Sequence, residues 1–273
     1  MSILERVVIN ERIETIPPMR WLLEGQAKTG KSTAALSWPK PLFLDMPDER
    51  GLAFLEGLAR LPIEKFADIR VAFNELRDGK HGYETVVIDT LNAMYSMCVR
   101  ENFGDSQMQQ RDYPHVYAQI MAALDAFSSL GLHVVLVSHV KPLFDKIKTK
   151  GKNGKSQEER ILSKYVNALP GQLSERVAAM ADHVLHTGVS EDGEFSVICR
   201  AIKMYEAGGR LSELPRYVMV PEGEPLYPLL VAAYEDAKKG AKPAPKKRGR
   251  KPAPDTREAG DDDQGWGHPG DGE

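Results

Sequence analysis

The chain has little to hold it together covalently: two cysteines, Cys98 and Cys199, lie far apart in 273 residues with no Cys-x-x-Cys spacing. That spacing excludes a disulfide framework and a cysteine-based zinc site, so a reducing, cytoplasmic setting is expected. Nor is there an apolar run long enough to cross a bilayer, and Met1-Ser2-Ile3-Leu4-Glu5-Arg6 lacks the apolar segment of a secretory leader. No membrane partner is expected. The net charge is small, −3, which excludes a surface of one sign. Basic residues instead crowd two stretches, and acidic ones crowd the last dozen positions.

What is present is length enough for one large core and a stretch the rest is organised around. Strand-like Trp21-Leu22-Leu23 runs into Glu24-Gly25-Gln26-Ala27-Lys28-Thr29-Gly30-Lys31-Ser32-Thr33, and Ala34-Ala35-Leu36 continues it in helix-compatible fashion. Residues 25–32 fit G-x-x-x-x-G-K-[ST], the phosphate-binding loop. Gly25 and Gly30 are expected to take backbone angles closed to other residues, so that the N–H groups of Gln26, Ala27, Lys28, Thr29 and their neighbours turn inward on phosphate oxygens. A helix beginning near Gly30 adds its positive end. Lys31 then reaches the β- and γ-phosphates, the Ser32 hydroxyl is a ligand for Mg²⁺, and Thr33 is placed for a further phosphate contact. ATP and Mg²⁺ are the expected cofactors.

Residues 1–18 read as an N-terminal arm with some strand alternation, closed by Pro17-Pro18. The loop helix ends near Trp38, because Pro39 and Pro41 cannot continue it. Leu42-Phe43-Leu44 is a buried parallel strand, and the helical spacing of apolar residues predicts helices over 52–61 and 67–76. Thr85-Val86-Val87-Ile88-Asp89 is a second buried strand, delivering Asp89 to its tip as the metal-side carboxylate. Helices are predicted over 91–103 and 113–130. Residues 132–139 form a third strand, and His139 at its end is either a sensor of the γ-phosphate or a satisfied strand-end histidine. Then the composition changes. Lys141, Lys146, Lys148, Lys150, Lys152 and Lys155 interleave with Gly151, Asn153 and Gly154 in a flexible cationic stretch. It is either a solvated surface hairpin or a loop that follows a nucleic-acid backbone. A helix over 173–181, two strands over 182–187 and 194–200, and an amphipathic helix over 225–238 complete the core. His183 and His186 have no third ligand nearby and read as structural.

From 239 to 273 the chain is a tail too poor in apolar residues to fold. Its Arg248-Gly249-Arg250-Lys251-Pro252 resembles an AT-hook core, an extended Arg-Gly-Arg segment for the minor groove of A·T-rich duplex, with Lys251 inserted before the proline. The last residues, Asp261-Asp262-Asp263 onward with Trp266, either fold back on the basic segment or aid solubility.

No glutamate follows Asp89, which points away from AAA+ and ABC-type ATPases and toward the RecA-like group. Residues 25–33, 42–45, Tyr83-Glu84-Thr85-Val86-Val87-Ile88-Asp89-Thr90, 134–139, Leu169-Pro170-Gly171 and Tyr205-Glu206-Ala207-Gly208-Gly209-Arg210 fall in the order seen in phage-encoded RecA-like core ATPases. The resemblance covers about residues 19–237. It implies an α/β fold with a mostly parallel central sheet flanked by helices and a single ATPase domain over 19–238. It also implies ATP hydrolysis and assembly into a homo-oligomeric ring or filament. By the same resemblance Glu49, or Asp48, orients the attacking water, and Arg210 reaches a neighbouring subunit's γ-phosphate, with Lys203 or Arg200 as alternatives. The lysine-rich stretch takes the place of a DNA-contacting loop. Some such proteins act in single-strand annealing beside a single-stranded-DNA-binding protein, so DNA, single-stranded or duplex through the tail, is the implied partner. The runners-up are a DnaB-like or packaging-type motor and a nucleotide-gated DNA-binding module with little hydrolysis. A GTPase is disfavoured, because no Asn-Lys-x-Asp guanine-reading motif is present.

Overall fold

A computed structural model describes residues 15–47, 50–150, 156–190 and 193–240, with the backbone alone at 50, 148–150, 156–159 and 240. The N-terminal arm before residue 15, Asp48, Glu49, Lys152, Lys155 and the whole tail with Arg248, Arg250 and Lys251 lie outside the described residues.

In chain order the elements are β1 (Arg20–Gly25), α1 (Lys31–Ala35), β2 (Pro41–Asp45), a 3-10 turn (Arg50–Phe54), β3 (Ala59–Pro62), α2 (Phe66–Arg77), β4 (Thr85–Asp89) and α3 (Leu91–Phe103). A second 3-10 turn (Gln110–Asp112) leads to α4 (Tyr113–Ser128), β5 (His133–Lys150), β6 (Ser156–Asn167), α5 (Gly171–Met180) and β7 (His183–Val189). β8 (Phe195–Ile198), β9 (Gly208–Gly209), β10 (Tyr217–Val220) and α6 (Leu226–Gly240) complete the order.

The strands line up as β10-β8-β7-β1-β5-β4-β2-β3. The six from β7 to β3 are parallel, and β8 and β10 extend them antiparallel. The mixed α/β fold with a mostly parallel sheet flanked by helices is therefore the one expected from the sequence. Each parallel strand needs a crossover, and the helices that supply it cover both faces. Alternation along the strands feeds two cores. Leu22, Leu44, Val86, Ile88 and Leu136 pack with residues of α2 to α5, whereas Trp21, Leu23, Phe43, Val87 and Val135 pack against α1 and α6. β4 is buried at every position, as a central strand read from a continuous apolar run should be.

Two local expectations fail. Residues 52–61 are not a helix but the first 3-10 turn followed by edge strand β3, paired with β2 from Leu42↔Ala59. Gly57 at φ 70° and Pro62 interrupt a helix there, and pairing with the open edge of β2 outweighs the helical spacing. The second concerns β5, which does not stop at His139. It runs on to Lys150, antiparallel to β6 from Val140↔Asn167 to Lys150↔Ser156, so the cationic stretch is strand up to residue 150 and not a flexible loop.

Candidate functional site

The C-terminal tips of the parallel strands fall in one row. Gly25 on β1 stands beside Thr187 on β7 and His139 on β5, while Asp89 on β4 pairs with Val137 on β5 and Asp45 on β2. β5 thus separates the phosphate-loop strand from the strand bearing Asp89. This is the edge at which open α/β sheets bind ligands.

Gly25 is needed for space, not for an unusual φ. A Cβ there would sit 2.1 Å from Thr187 Oγ1 and 2.8 Å from both Thr187 O and Thr29 Oγ1. Gly30 does take the left-handed angle expected, φ 72°, as N-cap of α1, and the Phe195 ring would lie 3.4 Å from its Cβ. Lys28 is left-handed as well, φ 64°. The turn is clamped by side chains: Thr29 Oγ1 donates to Gln26 O at 2.9 Å and lies 2.7 Å from Thr187 Oγ1, which in turn donates to Glu24 O at 3.2 Å. The Lys31 side chain folds back across the turn, its Nζ donating to Gly25 O at 3.2 Å and Gln26 O at 2.6 Å. A buried ammonium held against the loop's own carbonyls is available to incoming phosphate oxygens, which compete for it with a full charge. α1 is only five residues long, so its dipole is a small addition to the charge that Lys31 brings to the turn.

Ser32 is half-buried in the first turn of α1, and Asp89 is 2% exposed at the tip of β4, where the Asp89–Thr90 peptide is cis. A hydroxyl and a carboxylate are hard oxygen donors of the kind that suit Mg²⁺, which keeps several waters and binds phosphates together with one or two protein ligands. Among the described residues no group of three or more His, Cys, Asp and Glu is placed to hold a metal by itself. His183 and His186 do not share a site. His183 Nε2 lies 3.0 Å from Cys199 O and its ring is beside Trp21, whereas His186 faces Glu24 on the opposite side of the sheet.

His139 is half-buried, and its strand tip is fastened by Asn92 near the start of α3. The His139 N–H donates to Asn92 Oδ1 at 3.0 Å and Ser138 Oγ donates to the same oxygen at 3.3 Å. Thr90 caps α3 by accepting from Ala93 N at 3.2 Å. Arg210 lies elsewhere. It follows β9 at the other end of β7, where its Nε is 3.2 Å from Asp182 Oδ1 and Arg20 also binds Asp182. Five residue steps along β1 separate Arg20 from Gly25, about 16 Å, so Arg210 is remote from the phosphate loop of its own chain. Burial favours a neutral Asp182, yet the hydrogen bonds and charge of Arg20, aided by Arg210, hold its carboxyl below the usual range.

Four residues that sequence reasoning passed over help to build the site: Thr187 and Phe195 around the loop, Asn92 behind His139, and Glu24. Only Glu24 carries a signal in the sequence, a carboxylate inside an apolar strand. It is 2% exposed, with its Oε1 3.5 Å from His186 Nδ1; burial raises its pKa and His186 opposes that shift. Beside the loop opens a cleft of about 1130 Å³, lined by Thr29, Gly30, Thr33, Phe195, Val220 and Pro225 among others. The turn therefore adjoins a part-apolar cleft large enough for a nucleoside.

Fold and loop together define a phosphate-loop α/β protein. Residues 17–211 match the AAA_24 family, described as an AAA domain, and the chain belongs to that family. It is also similar to solved structures. A KaiC-like protein from the hyperthermophilic archaeon Pyrococcus horikoshii OT3 is 15% identical with TM-score 0.42, covering 75% of this chain and 90% of that one. The RadB recombinase is 14% identical with TM-score 0.41, covering 76% and 87%. No curated protein matches. Likenesses this distant transfer no residue roles, and the site stands on its own geometry.

Proposed function

We propose that the chain is a magnesium-dependent RecA-like ATPase acting on DNA, which hydrolyses ATP to ADP and phosphate while it binds, anneals or exchanges strands in phage recombination or replication. The observation that carries this is the course of β5. One unbroken strand lies between the phosphate loop and Asp89, sets His139 opposite Gly25, and then leaves the sheet as a hairpin bearing Lys146, Lys148 and Lys150. A shift at the nucleotide edge is thus bonded directly to the element that would meet DNA.

In this function Lys31 and the loop N–H groups hold the phosphates, and the adjoining cleft takes the nucleoside. Ser32 and Asp89 would hold Mg²⁺, which when bound neutralises charge between the β- and γ-phosphates. Glu49 orients the attacking water and His139 senses the γ-phosphate. Arg210, with its side chain 75% exposed, serves a neighbouring subunit in a ring or filament and leaves Asp182 to do so. The core spans 19–238, and the tail adds duplex affinity through Arg248, Arg250 and Lys251. Among the described residues no helix is long and apolar enough to cross a membrane.

The test is phosphate release by the full chain, with and without Mg²⁺, titrated with single-stranded and duplex DNA at several salt concentrations. Magnesium-dependent turnover that rises with DNA and loses that rise as salt increases is the expected result. Directional unwinding of a forked duplex would favour a motor, and nucleotide-dependent DNA affinity without phosphate release would favour a binding module. Absence of magnesium-dependent affinity for any nucleotide would sink the proposal.

A further inference from the structure

The hairpin of β5 and β6 is not equally basic on its two faces. Cross-strand partners in an antiparallel pair share a face, and successive residues alternate. After a register shift between Leu143 and Phe144, the partners are Phe144↔Leu162, Asp145↔Ile161 and Lys146↔Arg160, with Ile147 next along β5. One face therefore collects Phe144, Leu162, Lys146 and Arg160, and the other collects Asp145, Ile161 and Ile147. Among these residues Lys146, Arg160 and the aromatic ring are together, and Asp145 is opposite. The bulge decides this division, since a one-residue shift exchanges the faces.

Phe144 is 48% exposed, and the Arg160 guanidinium carbon lies 5.8 Å from its ring centre. Such a pair is a cation–π contact. The outward part of the ring remains available to a flat partner.

We infer that only this face of the hairpin binds single-stranded nucleic acid, with Phe144 stacking on an unpaired base and Lys146 and Arg160 meeting the phosphates on either side. The inference rests on the DNA-directed function above and goes further by assigning the face, the stacking residue and the strandedness. Base planes in a duplex are covered by their neighbours, so an exposed ring can stack only where bases are unpaired. An acidic peptide would satisfy the cations but has no use for the ring. The stacking residue is therefore what separates the two ligands.

The full chain with Mg-ATP is tested by fluorescence anisotropy against labelled oligothymidine, an abasic oligomer of the same length, and an oligoglutamate peptide. Phe144→Ala should weaken oligothymidine binding about tenfold and leave the abasic oligomer almost unchanged. Lys146→Glu combined with Arg160→Glu should weaken both nucleic acids and lower the salt slope by about 0.7 for each phosphate that is no longer neutralised. Ile147→Ser, on the other face, should change neither. All these side chains are exposed, and matching melting curves confirm that the variants fold. Equal binding of oligothymidine and the abasic oligomer by the unsubstituted chain, a silent Phe144→Ala, an Ile147→Ser loss as large as that of Phe144→Ala, or tighter binding of oligoglutamate would each overturn the assignment. If the chain takes up ATP but binds no oligothymidine at all, the DNA-directed function falls with it. If it binds and Phe144 alone is silent, only the stacking strip falls.

Discussion

Strand β5 has two halves of opposite character. From His133 to Ser138 every residue is buried, with β1 on one side and β4 on the other; from Leu143 to Ile147 every residue is exposed, with β6 as hydrogen-bonding partner. The first half is held from both edges and both faces, so its end holds His139 beside Gly25. The second half is held by one edge. Its side chains therefore face solvent. Precision at the nucleotide edge and accessibility in the hairpin come from the same backbone, differing only in how many neighbours surround it.

The largest expected effect is at the constrained end. Lys31→Ala removes the ammonium that crosses the loop and should lower ATP turnover by about 10³-fold, in the range found when one transition-state donor is removed. Phosphate release measures it, and turnover like that of the unsubstituted protein would break the assigned site.

Packing gives the next contrast. Leu136 is 0% exposed and Ile147 36%. Leu136→Ala should cost about 3 kcal/mol of stability by transfer and cavity terms, and Ile147→Ala less than about 1 kcal/mol, both read from urea unfolding. Similar losses at the two positions would remove the distinction between the halves.

A smaller, pH-dependent effect sharpens it. His133, the first residue of β5, accepts at Nδ1 from Trp21 Nε1 at 3.3 Å and from Met19 N at 3.4 Å, and its Nε2 lies 3.2 Å from the Tyr227 hydroxyl. Burial pushes its pKa down from 6.5 to about 4. Because the folded value lies below the unfolded one, the stability this adds is complete above pH 6.5 and is lost as pH falls toward 4. The loss should be roughly 3 kcal/mol between pH 7 and 4. His133→Gln should flatten that part of the stability profile, and an unchanged slope would show that the histidine is not held neutral.

The legible parts are those written in consecutive residues. The turn 25–32 was readable because its chemistry needs a fixed order, and β4 because a buried parallel strand must be apolar until it ends in Asp89. α2 to α6 showed in their apolar spacing. The failures are equally particular. Residues 52–61 have helical spacing, but Gly57 and the open edge of β2 made a turn and a strand. β5 looked finished at His139, because nothing within the strand shows that β6 returns to pair with it. Gly25 looked like a conformational glycine until Thr187, 162 residues later, proved to occupy the space of its side chain.

By itself the sequence determined that a phosphate loop, a strand-end carboxylate and alternating strands and helices are present, since each depends on contacts within a few residues. Only the tertiary structure decided that Thr187 clamps the loop and Phe195 flanks it, that Arg210 sits at the far end of the sheet, and that Lys146 and Arg160 share one face of the hairpin with Phe144. Those outcomes depend on strand order and register, which are chosen by the best burial of the whole sheet and not by any segment alone.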